Sequence, residues 1–212
     1  MYNPPQFVET DLSELHRIIE EHPLGMLVTN VAGEIDINHI PFLLDSKQGE
    51  HGVLLTHVAR SNQIWKQLQD GDQVVVVFRG AAGYISPTWY PGKVETHRRV
   101  PTWNYEVAHV HCRVTIRDDE KFLRGMVGRL TKEHEASMPK PWKLSDAPPD
   151  FMQQQLANIV GLEFRIERID GKRKLNQHHA KADRDGAVEG LASVGNHALS
   201  QAMAEATPYQ PK

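Results

Sequence analysis

The sequence predicts a mainly β fold, a small antiparallel barrel with peripheral helices (an α+β protein) and a helical extension at its C-terminal end. Three observations carry this. Six segments show strand patterning and are separated mostly by turns. The helical patterns cluster late in the chain instead of alternating with strands as βαβ units do. No Gly-x-Gly-x-x-Gly follows a strand, since Gly80-Ala81-Ala82-Gly83 has the wrong spacing for a dinucleotide fold.

In chain order, Asp11 to His22 predicts a helix. Asp11 with Glu14 resembles a capping box, Leu12, Leu15, Ile18 and Ile19 form one apolar face, and Pro23 stops it. Leu24–Thr29 and Glu34–Leu44 are strands about a turn at Ala32-Gly33, and Gly52–His57 and Gln73–Phe78 are two more. Between these last two, Ser61–Gln69 has Ile64, Trp65 and Leu68 at helical spacing. Gly83 to Asn104 is dense in Pro, Gly and aromatics, and a stretch of that length is either functional or disordered. Trp89, Tyr90 and Trp103 favour an ordered, ligand-facing loop.

Tyr105–Arg117 is the longest strand. Ala108, Val110, Cys112, Val114 and Ile116 share one face; Tyr105, Val107, His109, His111, Arg113 and Thr115 share the other. A helix over Asp118–Ala136, a shorter one over Phe151–Val160 and a strand over Gly161–Ile169 follow. Positions 1–170 thus read as the barrel domain with inserted helices. Positions 171–212 read as a basic segment and a helix ending near Ala206, packed on the barrel or on a dimer partner.

Composition narrows the function classes. The chain has 212 residues, 40% hydrophobic and 24% charged, near the globular average. Its net charge of −3 opposes whole-surface attraction to nucleic acid or anionic lipid. A single cysteine, Cys112, excludes an intramolecular disulfide framework and a Cys-cluster metal site. No apolar run approaches the roughly 20 residues that span a bilayer, and MYNPPQFVETD lacks signal-peptide order, so a cytoplasmic location without membrane association is expected. The 12 histidines are many for this length and suggest metals, proton chemistry or ligand contacts.

Four segments could carry chemistry. At Arg60-Ser61-Asn62 a strand gives way to a helix start, where N–H groups and a guanidinium suit an anion such as phosphate; an ordinary N-cap with a solvated arginine is the alternative. Asn38 and His39 interrupt an apolar strand just before Pro41, which marks a ligand-facing edge or a bare barrel corner. His109 and His111 share a strand face and could meet one metal, but no third ligand is placed, so no metal site is assigned. Over positions 172–184, Lys172, Arg173, Lys174, Lys181 and Arg184 stand against Asp183 alone. Such a run serves as a solvated face, a nucleic-acid patch or a source of cations for a phosphate across a dimer interface.

The MYNPPQF start, HIPFLL, HVARSNQIW, GYISPTWYP, VPTWNYEVAHVH and KLNQ…ADRDGAVEGL, in this order along nearly the whole chain, resemble the PaiB family of FMN-binding negative transcriptional regulators. The resemblance implies a split β-barrel homodimer with FMN at the subunit interface. It departs where the family usually has Ser-Gln-Asn and this chain has Asn176-Gln177-His178, and where Cys112 replaces a usual glycine. It implies that Arg60, Ser61 and Asn62 bind the FMN phosphate and that Asn38, His39 and Ile40 line the isoalloxazine. Trp89, Trp103 and Tyr105 would stack on or roof the ring. Lys174 and Gln177 would reach the cofactor from the partner subunit.

The family label implies promoter DNA as a partner, yet the residues offer no evident helix-turn-helix. The alternative is an FMN-dependent oxidoreductase or flavin reductase acting on a small substrate, or a haem-handling relative, with His39, His109 or His111 moving protons. A barrel that has lost its cofactor and serves as an interaction module is a third reading.

Overall fold

The computed structural model describes residues 1–31, 33–93 and 97–210. Eight strands form one sheet whose path runs β3-β2-β6-β7-β8-β5-β4, with β1 added on β8. The chain divides into two compact units. The first comprises Met1–His22, Arg79–Ala108 and Asp170–Lys212; the second comprises Pro23–Phe78 and His109–Ile169. The long strands β6 (Gln73–Ile85), β7 (Thr102–Arg117) and β8 (Ile159–Lys174) each contribute residues to both units.

In the second unit, β2 (Leu24–Val31) and β3 (Glu34–Pro41) form a hairpin in the register Leu24↔Pro41 to Val31↔Glu34. The turn is possible because Gly33 takes φ 88°, a conformation that a side chain disfavours. β2 also pairs with β6, Met26 opposite Val77. The short β4 (Leu43–Asp45) pairs with β5 (Val53–Ala59), which continues onto β8 from Val53↔Arg165 to Ala59↔Ile159. Strand alternation sends Leu27, Leu54, Val76, Phe78, Leu162 and Phe164 fully inside. Phe42 meets Phe78 and Phe164 edge-on at 5.6 Å each, the favoured geometry for aromatic pairs.

The opposite face of β4 and β5 is covered by helices. Leu43, Val53 and Leu55 pack with Leu123, Met126 and Leu156 from α3 (Glu120–Glu135) and α4 (Pro149–Ala157). Asp119 caps α3 by accepting from the Phe122 N–H at 2.8 Å. The helix expected over Ser61–Gln69 is a single turn, α2 (Ile64–Gln67).

In the first unit, α1 (Leu12–Glu21) is capped by Asp11, which accepts from the Ser13 N–H, and buries Leu15, Ile18 and Ile19. β1 (Val8–Glu9) pairs with β8 at Lys172 and Gly171. A core of Ile85, Tyr90, Leu175, Leu191, Leu199 and Met203 joins the end of β6 to two C-terminal helices. These are α5 (Lys181–Ser193) and α6 (His197–Glu205), separated by Gly195 at φ 79° and restarted by Asn196, whose side chain accepts from Leu199 N–H. One helix was expected there, and two form because the Gly-Asn pair supplies a stop and a new cap.

Two strands also run further than expected. β6 continues through Gly80-Ala81-Ala82-Gly83, small residues that carry no strand signal, and β7 begins at Thr102. The expected loop between them therefore shrinks to positions 86–101, of which 94–96 lie outside the described residues. β8 runs on through the basic segment to Lys174.

Candidate functional site

The residues singled out from the sequence fall into two groups, one in each unit. In the second unit, β5 ends at Ala59 and the chain turns through Arg60, Ser61 and Asn62 into α2. The Asn62 side chain serves both directions: its Oδ1 accepts from Ile64 N–H at 3.0 Å, and its Nδ2 donates to Asn38 Oδ1 on β3 at 3.1 Å. Asn38 Nδ2 in turn donates to Asp36. The amide predicted to line the flavin ring, Asn38, and the one predicted at the phosphate, Asn62, are thus brought together, beside the exposed Ser61 and His39, while Ile40 points into the core.

Arg60 does not stand open to an anion. Its Nη1 and Nη2 grip both carboxylate oxygens of Asp118 at 2.9 and 2.5 Å, and its Nε and Nη2 donate to the carbonyls of Ala157 and Ile159. These hydrogen bonds hold the Asp118 carboxyl below, and the Arg60 guanidinium above, their ordinary pKa values. The arginine ties the turn to the residue before α3 and to the end of α4. The guanidinium expected at the phosphate is thus engaged with one carboxylate and two carbonyls.

In the first unit, Trp89 is half-buried against the core. A Cβ on Gly190 of α5 would lie 2.2 Å from its indole Cδ2, so the helix is glycine where the ring rests. Trp89 is therefore packed against α5. Trp103 and Tyr105 share a face of β7; Trp103 is 56% exposed, and the Lys172 ammonium lies 5.4 Å from the Tyr105 ring centre. Lys174 donates to the Thr102 hydroxyl, and burial lowers its pKa. Gln177 is consumed locally, its Oε1 accepting from Leu175 N–H and its Nε2 donating to the Arg173 carbonyl. Each bond uses one of the two acceptor sites on its oxygen and one of the two donors on its nitrogen.

Several site-shaping residues escaped the sequence reading. Asp183, 1% exposed, accepts from Gly92 N–H and from the Arg99 guanidinium. Burial alone would raise its carboxyl, but the Arg99 and Gly92 donors hold it below the usual range. The one signal was its standing as the sole acid in a basic run. Glu106, 1% exposed on β7, takes ion pairs from Arg17 at 2.8 Å and Arg173 at 2.7 Å. So Arg173, read as part of a basic patch, belongs to an internal charge cluster with Arg17, Glu9, Glu14 and Glu106.

Among the described residues no group of three or more His, Cys, Asp or Glu is placed to hold a metal. His111 Nε2 lies 2.9 Å from Arg168 Nη2. Cys112 is 1% exposed and burial pushes its thiol upward, away from reactivity. No helix of the described residues is long and apolar enough to cross a membrane.

The antiparallel sheet with its peripheral helices is a split β-barrel of the flavin-binding class. The structure of the FAD and heme binding protein from Mycobacterium smegmatis shares this fold, with a TM-score of 0.57 at 14% identity, covering 83% of this chain and 78% of that one. The family model described as "Putative FMN-binding domain" matches residues 1–168. "Protease synthase and sporulation protein PAI 2" of Bacillus subtilis is 30% identical over 207 residues, covering 97% of this chain and 95% of its own length. An uncharacterized protein of Emericella nidulans is 32% identical over 233 residues, covering 93% of each. The chain belongs to this FMN-binding family, as its motifs indicated, and FMN is the cofactor.

The donor set at the β5–α2 turn fits that cofactor. Asn38 offers an amide group suited to the polar edge of a flavin, and Ser61 and Asn62 offer a hydroxyl and an amide suited to phosphate.

Proposed function

We propose that the chain is a cytoplasmic homodimer that holds FMN at the β5–α2 turn and works as a PaiB-type negative transcriptional regulator. The observation that carries the flavin site is the Asn62–Asn38 amide pair, joined at 3.1 Å beside Ser61. In this reading Ser61 and Asn62 take the phosphate end, Asn38, His39 and the backbone of Ile40 take the ring edge, and Arg60 positions the turn. FMN supplies electron transfer; the protein supplies orientation and exclusion of water.

Dimer formation is supported by β3, which ends the sheet path and exposes Ile35 and Ile37 at 69% and 50%. Apolar side chains on an edge strand invite a partner. The regulatory part is supported by the near-full-length likeness to PAI 2. A visible spectrum before and after adding FMN and desalting tests the flavin part: retained flavin absorbance is expected, and a colourless protein contradicts it. A shift of promoter DNA at low salt tests the regulatory part, and a failed shift contradicts direct binding.

One observation favours the second reading, a flavin reductase or oxidase. The exposed face of α5 is not basic: Lys181 and Arg184 stand against Asp185 and Glu189. NAD(P)H-dependent bleaching of bound FMN would select this reading. A Soret band would select haem handling, as in the FAD and heme binding protein from Mycobacterium smegmatis.

A further inference from the structure

We propose that the first unit carries a second ligand site, separate from the flavin, for a small aromatic anion of the aryl phosphate or aryl carboxylate class. The site is an open cleft of about 400 Å³, within the roughly 300–1,000 Å³ typical of small-molecule pockets. It is bounded by the N-terminal segment at Phe7, by Tyr90, and by the turn from Lys174 to His179.

Charge comes first. No acidic side chain is among the described residues that line the cleft. Arg99 lies in its wall but is paired with Asp183. Lys174 is not: its ammonium meets only the Thr102 hydroxyl, and it forms no ion pair among the described residues. A half-buried ammonium without a counter-charge is costly, and an anion relieves that cost.

The imidazoles respond to the same field. Burial lowers His179 first, then His178, Arg99 and Lys174 push it further, against the opposing pull of Asp183, to about 4. His178 is lowered by burial and by Lys174. Both rings are therefore neutral at pH 7, each offering one N–H donor to an anion.

The remaining lining supplies flat apolar surface. His179 stacks on Tyr90 at 5.2 Å with 9° between planes, and His178 meets Phe7 edge-on at 5.3 Å. Behind them Asn176 is fully buried at φ 63°, held by its Nδ2–H···Oη bond to Tyr90 at 2.8 Å. Its Oδ1 is a buried acceptor with no partner among the described residues. An unsatisfied acceptor and an uncompensated cation in one cleft are features that folding alone does not favour.

This inference rests on placing FMN at the β5–α2 turn, and the test separates the two. FMN-saturated protein is titrated with phenyl phosphate by calorimetry, while the ring resonances of His178 and His179 are followed. Inorganic phosphate and benzyl alcohol serve as probes of charge and ring alone. Saturable binding of one phenyl phosphate per chain is expected, with shifts at both histidines and at least tenfold weaker binding of either partial probe.

Lys174→Met should weaken phenyl phosphate at least tenfold with FMN still bound; Thr102→Val, a milder change, should weaken it less in the same assay. Absence of saturable binding, or indifference to both variants, overturns the site. Equal affinity for inorganic phosphate overturns the aromatic part. Displacement of FMN by phenyl phosphate, or loss of FMN in Lys174→Met, assigns the cleft to the flavin and overturns the second site. Protein that binds phenyl phosphate as expected but never retains FMN contradicts the flavin reading and leaves the cleft standing.

Discussion

The two polar regions of this molecule use their cations in opposite ways. At the β5–α2 turn of the second unit, Arg60 has its donors spent on Asp118 and two carbonyls, and neutral amides face outward. In the first-unit cleft, Lys174 sits half-buried with a single hydroxyl for company. The difference teaches that a basic residue's availability is set by the acid beside it. Arg60 lost its openness to Asp118, as Arg99 did to Asp183, and Lys174 kept its own because no carboxylate reaches it.

The comparison can be broken most forcefully at Asp183. Asp183→Asn leaves Arg99 without its counter-charge and should cost about 3 kcal/mol, read by denaturant unfolding. The wild-type contribution has a pH signature. Because the folded carboxyl lies below its ordinary value, its stabilisation is present above the unfolded pKa of 3.8 and lost as pH falls through the folded value. The variant should lose that acid dependence.

Gly190→Ala comes next. The new methyl would strike Trp89 at 2.2 Å, so about 2 kcal/mol of destabilisation is expected by the same assay, within the usual range for overpacking.

His179 sharpens the contrast between the regions. Lowered from 6.5 to about 4, it binds a proton more readily unfolded than folded across that window, so stability should fall as pH drops from 6.5 towards 4. His179→Phe keeps a ring on Tyr90 and should flatten this slope in unfolding measurements across pH. The smallest effect is expected at the surface pair. Asp118→Asn should change stability by less than about 1 kcal/mol. Its informative readout is FMN affinity. A positioning role for Arg60 predicts several-fold weaker binding in Asp118→Asn, whereas direct phosphate contact predicts tighter binding once the competing carboxylate is gone.

Much of the fold was legible because it is periodic. The alternation on β7 put Ala108, Val110, Cys112 and Val114 inside, and Asp11 and Pro23 bracket α1 closely. What was hidden came from partners distant in sequence. Nothing near Arg60 announces Asp118, and nothing near Arg99 announces Asp183. Trp89 looked like a ligand-facing aromatic because its complement, Gly190, lies in a helix about a hundred positions away. The small residues 80–83 concealed the continuation of β6 for another reason: strand patterning is written in large side chains.

The central claim is that FMN is held at the Asn38–Asn62 pair, and Asn62→Asp tests it most directly. The substitution keeps the oxygen that accepts from Ile64 N–H, so the turn should stay folded, but it removes the amide donor and sets a negative charge where the cofactor binds. FMN affinity measured by flavin fluorescence titration should fall at least tenfold, with no flavin absorbance surviving desalting. Wild-type affinity in that variant would place the flavin elsewhere.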